Sequence, residues 1–183
     1  LREPSTRGSF ERTSMSSPPD QVVSGLEGVL AFESAIANID GSVPELIIRG
    51  YQIKDIARKL SFEKTAFLLW YDRLPSDAEL GDFRGEVAWL RALPPGVVEL
   101  LRAAPPSAHP MATLRTAVSM LGGYDANAED LSRDDNLRKA KSLTAKLPTI
   151  VAAQTRIAAG EQPVSPDPSL DHASNYYYML TGK

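Results

Sequence analysis

The chain has 183 residues, of which 43% are hydrophobic, and this size predicts one domain with a sizeable core. Its formal net charge of −3 provides no basic field for nucleic acid, and the absence of cysteine excludes disulfides, thiolate nucleophiles and cysteine metal sites. Apolar runs stay shorter than the roughly 20 residues that a membrane span requires. Since a chain without cysteine suits a reducing compartment, we predict a cytoplasmic protein that binds neither membrane nor nucleic acid.

The first segment, residues 1–20, is polar and aperiodic, and it predicts a disordered leader or a tag. Met15 is a candidate start of the native chain. A transit peptide is the alternative for this Arg- and Ser-rich stretch, but Glu3 and Glu11 argue against it. The folded region is therefore expected to cover residues 21–183.

A small β-hairpin is predicted at the start of the folded region. Apolar and polar residues alternate with a period of two over residues 30–36, Asp40-Gly41 marks a turn, and residues 46–49 are typical of a returning strand. Because an isolated hairpin is marginal in water, this one must lie against helices.

Helical periodicity begins at Ile53 and continues to the C-terminus. Ser61 is a candidate cap for a helix over residues 62–71, with Phe62, Ala66, Leu69 and Trp70 on one side. Ser76 and Glu79 form a capping-box pattern that opens the next helix. The apolar positions of that helix are Leu80, Phe83, Val87 and Leu90. A shorter helical run over residues 97–103 follows it.

Two long helical runs with wide apolar faces follow, Met111–Leu121 and Arg138–Ala159. Pro148 predicts a kink in the second run. We expect the two faces to pack against each other or against another subunit, since they would otherwise leave a large exposed apolar patch. A last helix over residues 175–180 is predicted to be capped by Ser169 or Asp171 and to end at Gly182.

The candidate functional residues favour structural roles. His109 precedes Pro110 at a helix start, where an imidazole commonly bonds to backbone, and His172 opens the last helix among apolar partners. The five acids Asp125, Glu129, Asp130, Asp134 and Asp135 lack calcium-loop spacing and favour a solvated turn before a helix N-terminus. Residues 176–178 are three tyrosines with no basic patch around them, which favours a role in helix packing over stacking on nucleic-acid bases. The glycine-containing segment of residues 25–28 is too short to form a phosphate-binding loop.

Six segments, in this order, resemble the N-terminal part of citrate synthases. They are GLEGVLAFESAIANIDG, LIIRGYQIKDIA, SFEKTAFLLWYDRLPS, HPMATLRTAVSMLGGYD, AKLPTIVA and LDHASNYYYMLTG. Together they extend over nearly the whole chain beyond the leader. The related 2-methylcitrate synthases share the same segments, so the segments do not separate the two activities.

This resemblance implies an all-α fold with a large and a small domain, in which residues 21–183 form the N-terminal part of the large domain. It also implies a homodimer with the helices around Met111–Leu121 and Arg138–Ala159 at its interface. The family's catalytic histidines and aspartate, the arginines that hold oxaloacetate and the loops that hold coenzyme A lie beyond the matched segments. We therefore assign no catalytic, cofactor-binding or metal-binding residue to this chain.

Three functional hypotheses follow. The first is a citrate synthase, an acyltransferase of the tricarboxylic acid cycle that condenses acetyl-CoA with oxaloacetate to citrate and CoA, present without its C-terminal part and inactive alone. The second is 2-methylcitrate synthase, which uses propionyl-CoA. The third is a non-catalytic scaffold or partner subunit of a split citrate synthase. No cofactor is expected, because acetyl-CoA and oxaloacetate are substrates.

Overall fold

The described residues of the computed structural model are 34–40 and 45–183, and most of them are helical. They begin with a three-stranded antiparallel sheet, β1 (Ala37–Asp40), β2 (Glu45–Ile48) and β3 (Tyr51–Gln52), with β2 in the centre. The leader, the GLEG segment, residues 30–33 of the predicted first strand and Gly41 lie outside the described residues. The pairing of Ala37 with Ile48 confirms the predicted hairpin. The position of its first strand differs from the prediction, because β1 begins at Ala37 whereas the predicted strand covered residues 30–36.

A second hairpin, which the sequence pattern did not predict, joins β2 to β3 through Arg49 and Gly50. Both residues have positive φ angles, 48° and 83°, as a tight two-residue turn between twisted strands requires. The Arg49 guanidinium donates a hydrogen bond of 2.7 Å to the Leu69 carbonyl. This contact attaches the sheet to the C-terminal end of a helix, so the hairpin is supported as its small size demands.

Three helices follow the sheet: α1 (Ile53–Ile56), α2 (Phe62–Tyr71) and α3 (Asp77–Trp89). The Ser61 side chain accepts a hydrogen bond from the Lys64 N–H at the start of α2, and Ser76 with Glu79 forms both bonds of a capping box. These caps confirm the predicted helix starts. They satisfy backbone donors that the first helical turn leaves without a partner.

The face that α2 buries differs from the predicted one. Phe62 is 48% exposed, whereas Phe67 and Leu68 are the most buried apolar residues of the helix. Phe67 packs edge-on against Phe83 of α3, with ring centroids 5.6 Å apart. The predicted face was wrong at Phe62, the first residue of α2, because only one side of its ring is covered, by His172 of the C-terminal helix, and the rest is open to solvent.

The main core lies where α4 (Pro95–Ala103), α5 (Pro110–Gly122) and α6 (Arg133–Ala158) meet. Its buried residues are Val97, Leu101, Ala117, Leu121, Ile150 and Ala153. Helix α6 is continuous through Pro148, so the missing backbone donor does not end the helix, and the predicted kink stays a prediction. Residue Ala145 of α6 contributes to a second cluster with α2 and α3, which makes α6 common to both cores.

Helix α7 (His172–Thr181) begins at an Asp171 cap and ends at Gly182, whose φ of 75° is the left-handed conformation of a helix stop. Of the two caps considered, Ser169 and Asp171, the structure selects Asp171, which accepts a hydrogen bond from the Ser174 N–H at 2.7 Å. Helix α7 packs mainly on α6 and also on α2. No helix in the described residues is long and apolar enough to cross a membrane.

Gly96 in α4 permits a close approach by Tyr124. A Cβ atom built at Gly96 would lie 2.1 Å from the tyrosine hydroxyl oxygen, whereas one built at Gly85 in α3 meets nothing within 4 Å. We expect Gly96→Ala to lower the free energy of unfolding by about 1 kcal/mol, because the ring must leave its packing site. Gly85→Ala should instead raise it by about 0.5–1 kcal/mol through helix propensity.

Urea titrations of the two single variants and of Gly96→Ala/Tyr124→Ala measure this difference. In the double variant the steric penalty should vanish, giving a coupling energy of about 1 kcal/mol between the two sites. Equal effects of Gly96→Ala and Gly85→Ala would contradict the steric explanation.

Candidate functional site

His109 serves as the N-cap of α5. Its Nδ1 atom accepts a hydrogen bond of 3.2 Å from the Met111 N–H, and the residue is exposed. The prediction of a structural role at the helix start is confirmed. Because Nδ1 already accepts this backbone proton, the ring is oriented by the helix that it caps.

His172 is buried, with 8% of its surface exposed. Its ring stacks on Phe62, with centroids 4.1 Å apart and an interplanar angle of 3°. Its backbone N–H donates a 2.8 Å hydrogen bond to the Glu63 Oε1 atom. The predicted packing role is confirmed, while the capping role belongs to Asp171.

A polar cleft of about 320 Å³ lies beside the start of α7. Glu63 in this cleft has only 2% of its surface exposed, and the Arg84 Nη2 atom lies 3.8 Å from its Oε2 atom. Arg84 is exposed, whereas Arg91 is buried and donates hydrogen bonds of 2.9 and 3.0 Å to the carbonyl oxygens of Asp167 and Leu170. The His172 ring is not part of the cleft lining, so the cleft does not place an imidazole where a substrate would lie.

The charges around the cleft determine the ionisation of Glu63 and His172. Burial raises the pKa of the Glu63 carboxyl, but hydrogen bonds, first that from the His172 N–H, lower it by more, and the net pKa is below its ordinary value of 4.5. Burial, together with the positive charge of Arg91, lowers the pKa of His172 below 6.5. The folded state therefore favours a negative Glu63 beside a neutral His172.

The lowered pKa of His172 predicts a stability that depends on pH. Because the unfolded chain binds a proton at this site more readily than the folded chain, His172 stabilises the fold fully above pH 6.5 and progressively less as pH falls below it. In urea titrations at pH 7.5 and 5.5, His172→Phe should lose less stability on acidification than the wild type. An identical loss in both proteins would refute this role. The Glu63 contribution is lost in a separate, more acidic window below pH 4.5.

The acidic segment before α6 is an ion-paired turn. Asp135 has 8% of its surface exposed, its Oδ1 atom accepts a 2.6 Å hydrogen bond from the Arg138 Nε atom, and this bond lowers the pKa of Asp135 to about 2. Asp125 accepts two further hydrogen bonds from Arg138. The prediction of a solvated turn was wrong for Asp135, because the arginine folds back over the helix start. No cluster of His, Cys, Asp or Glu within the described residues could hold a metal ion.

The three consecutive tyrosines of α7 do not share one environment. Tyr176 and Tyr178 are half-buried, as the packing interpretation predicted, whereas Tyr177 is 65% exposed. The interior of α7 is formed by Asn175 and Met179.

The two long helices present one face to the core and another to solvent. Ala117, Leu121 and Ile150 are buried in the core, so part of the predicted apolar surface is intramolecular packing. The exposed apolar side chains of the two helices form an outer stripe, which we define as Met111, Leu143 and Leu147. Met111 is 62% exposed, Leu143 36% and Leu147 37%, whereas Leu114 and Val118 are half-buried and pack against the core.

The sequence pattern missed the polar cluster at the start of α7. Arg91 is a charged residue inside an otherwise apolar run, AWLRALPP, and this local contrast was the available signal, whereas Glu63 stands beside Lys64 and Thr65 and carries no such signal. Their partners lie far along the chain, since Glu63 and His172 are separated by 109 residues. In the described part of the chain, neither imidazole ring is hydrogen-bonded to a carboxylate, and the cleft residues instead hold α7 and the segment before it.

These features define an all-α framework with a small antiparallel sheet at its start. The family model described as "Citrate synthase, C-terminal domain" matches residues 25–183. The citrate synthase of Haloferax volcanii is 46% identical over 163 residues, which are 87% of this chain and 43% of that protein. A 2-methylcitrate synthase of Mycobacterium tuberculosis is 38% identical over 165 residues, 90% of this chain and 41% of that protein.

A solved structure supports the same assignment. The citrate synthase of Pyrobaculum aerophilum superimposes with a TM-score of 0.80 at 33% identity, covering 94% of this chain and 47% of that one. The chain belongs to the citrate synthase family. It spans less than half the length of these relatives.

Proposed function

We propose that this chain is the N-terminal part of a citrate synthase, which condenses acetyl-CoA with oxaloacetate to citrate and CoA. The observation that carries the proposal is the 46% identity to the Haloferax volcanii citrate synthase over 163 residues. In this proposal α2 to α7 supply the framework and a subunit interface, and the rest of the enzyme supplies the reaction centre.

The chemistry of the condensation supports this division of roles. A base must remove a proton from the acetyl methyl group, and a donor must stabilise the enolate oxygen that develops. His109 caps a helix and His172 packs on Phe62, so both imidazoles already have structural roles. We therefore propose that the chain alone does not catalyse the reaction and contains no catalytic or cofactor-binding residue.

A citrate-forming assay tests the proposal. The purified chain is mixed with acetyl-CoA and oxaloacetate, and the release of the CoA thiol is followed, with the full-length Haloferax volcanii enzyme as positive control. We expect no turnover above background from the chain and full activity from the control. Measurable citrate formation by the chain would overturn the assignment of the reaction centre to the rest of the enzyme.

The second candidate is 2-methylcitrate synthase, favoured by the 38% identity to the Mycobacterium tuberculosis protein. A Bacillus subtilis relative named citrate/2-methylcitrate synthase is 35% identical over 159 residues. The full-length natural protein should be assayed with acetyl-CoA and with propionyl-CoA under identical conditions. A higher kcat/KM for propionyl-CoA would replace the first candidate by the second.

We also propose that a second copy of the chain packs on the outer stripe, which makes the protein a homodimer. The support is the row of partly exposed apolar side chains along α5 and α6. The alternative to a part of one longer enzyme is a non-catalytic partner subunit of a split citrate synthase, which binds a separately encoded C-terminal part. Co-expression of the chain with that part tests the alternative, and failure of the two to co-purify would argue against a partner role. A cytoplasmic location stays a prediction.

Leu147→Asp tests the homodimer. Leu147 is 37% exposed on the outer stripe, so an aspartate there can remain hydrated in a monomer but would be desolvated in a dimer. Analytical ultracentrifugation at micromolar concentration should show a dimer for the wild type and a monomer for the variant. Ala78→Asp, in the exposed first turn of α3, introduces the same charge elsewhere and should leave the dimer intact. A monomeric wild type would contradict the homodimer.

A further inference from the structure

The polar cleft beside the start of α7 is lined by charged residues from four parts of the fold. Glu63 belongs to α2, Arg84 to α3 and Arg91 to the turn after α3, while Asp171 caps α7. Glu63 and Arg91 each have only 2% of their surface exposed. The surrounding protein therefore holds two opposite charges in place, as in a binding site that exists before its ligand arrives.

Arg91 supplies hydrogen-bond donors that the protein does not use. Its hydrogen bonds to the carbonyl oxygens of Asp167 and Leu170 are both made by Nη1, and its buried Nε atom has no partner in the part of the chain that the structure describes. A guanidinium group binds a carboxylate through two N–H donors along one edge. Because a buried donor without an acceptor is unfavourable, a carboxylate in the cleft would relieve this cost.

The acidic groups of the cleft exclude a ligand that is only an anion. The lining contains two carboxylates, those of Glu63 and Asp171, and two guanidinium groups. A third carboxylate, that of Asp167, acts on Arg91 from outside the lining. The cleft therefore has no excess positive charge, and these carboxylates would repel a simple anion.

Two of the carboxylates have oxygen atoms available to a cation. Glu63 uses Oε1 to accept the His172 N–H, while its Oε2 atom lies 3.8 Å from the Arg84 Nη2 atom, which is beyond hydrogen-bond distance. Asp171 uses Oδ1 to accept the Ser174 N–H, and no cationic nitrogen of the described residues lies within 4.0 Å of its carboxylate. Carboxylate oxygens of this kind accept hydrogen bonds from an ammonium group.

We propose that this cleft binds a small zwitterion, namely an α-amino acid with a small side chain. Its carboxylate pairs with the guanidinium groups of Arg84 and Arg91. Its ammonium group pairs with the carboxylates of Glu63 and Asp171. The charges of such a ligand sum to zero, as do the four charges of the lining, and a cleft of about 320 Å³ has room for it. The lining belongs to this chain alone, so the site does not depend on the proposed condensation activity.

The test is isothermal titration calorimetry of the purified chain with L-alanine. Propionate, which lacks the ammonium group, and ethylamine, which lacks the carboxylate, are its singly charged analogues. We expect saturable 1:1 binding of L-alanine that is about tenfold tighter than binding of either analogue, because each analogue loses one of the two charged contacts. Absence of L-alanine binding, or an equal affinity for L-alanine and one analogue, would overturn the proposal and leave the condensation proposal unaffected.

Two substitutions locate the ligand without removing a buried group. Arg84→Met keeps the apolar stem of a side chain that is 46% exposed, and Asp171→Asn keeps an oxygen atom that can cap α7. Each should weaken L-alanine binding about tenfold. Arg58→Met, at an exposed residue outside the cleft, is the matched control and should bind L-alanine as the wild type does. An unchanged affinity in either cleft variant would overturn the proposal.

Discussion

Replacing Ile150 by aspartate is expected to abolish cooperative folding of the chain. Ile150 has no exposed surface and lies in the core that α4, α5 and α6 share. An unpaired carboxylate there either remains charged in an apolar medium or must be protonated, and the cost is about 5 kcal/mol or more. Since domains are stable by about 5–15 kcal/mol, little or no margin would remain. Thermal unfolding followed by circular dichroism measures the loss.

Two substitutions serve as controls for the size and the position of this change. Ile150→Val removes one methylene and should cost about 0.5–1.5 kcal/mol while keeping a cooperative transition. Thr155→Asp places the same charge on α6 at an exposed position outside the outer stripe, where the carboxylate can remain hydrated. A folded Ile150→Asp variant with a transition close to that of the wild type would show that the position is not in the core.

The second large effect is expected for Glu63→Ala. The substitution removes the acceptor of the buried His172 N–H and the nearest carboxylate to Arg84. The buried His172 N–H would then lack its acceptor, and Arg91 would lose one of its three nearby carboxylates, which together cost about 1–3 kcal/mol. Since this contact holds the start of α7, hydrogen exchange of the α7 amides should accelerate before that of the main core.

Glu63→Gln retains an oxygen acceptor without the charge and should lose less stability than Glu63→Ala. The matched surface control is Glu99→Ala, which removes a carboxylate that is 74% exposed and whose Oε1 atom lies 3.5 Å from the Arg102 Nε atom. Exposed pairs of this kind contribute about 0.2–1 kcal/mol. If Glu63→Ala and Glu99→Ala lose similar amounts of stability, Glu63 does not hold α7 in place.

Local sequence signals were sufficient to predict most of the helices. Ser61, Ser76 and Asp171 each cap a helix within three residues of the donor that they satisfy, so the sequence contains both partners of the contact. Gly182 likewise ends α7 through its own backbone conformation. Such features depend on neighbouring residues and are therefore visible without knowledge of the fold.

Contacts between distant segments could not be predicted in this way. The Glu63 bond to His172 and the Arg91 bonds to Asp167 and Leu170 connect residues 76 to 109 positions apart. Phe62 was misassigned because its ring contacts His172, a residue distant in the sequence, on one side and solvent elsewhere. The Arg49-Gly50 hairpin was missed because a positive φ at arginine is uncommon and the strand after it has two residues.

The attachment of Arg91 to the proline-containing segment before α7 has a consequence for synthesis on the ribosome. The carbonyl oxygens that this arginine binds are made 76 and 79 residues after it. Closing a loop of that length costs entropy before any contact compensates for it. Arg91 must therefore stay hydrated on the nascent chain until the end of α6 and the following segment have emerged, so α7 can dock only after α2 to α6 have been synthesised.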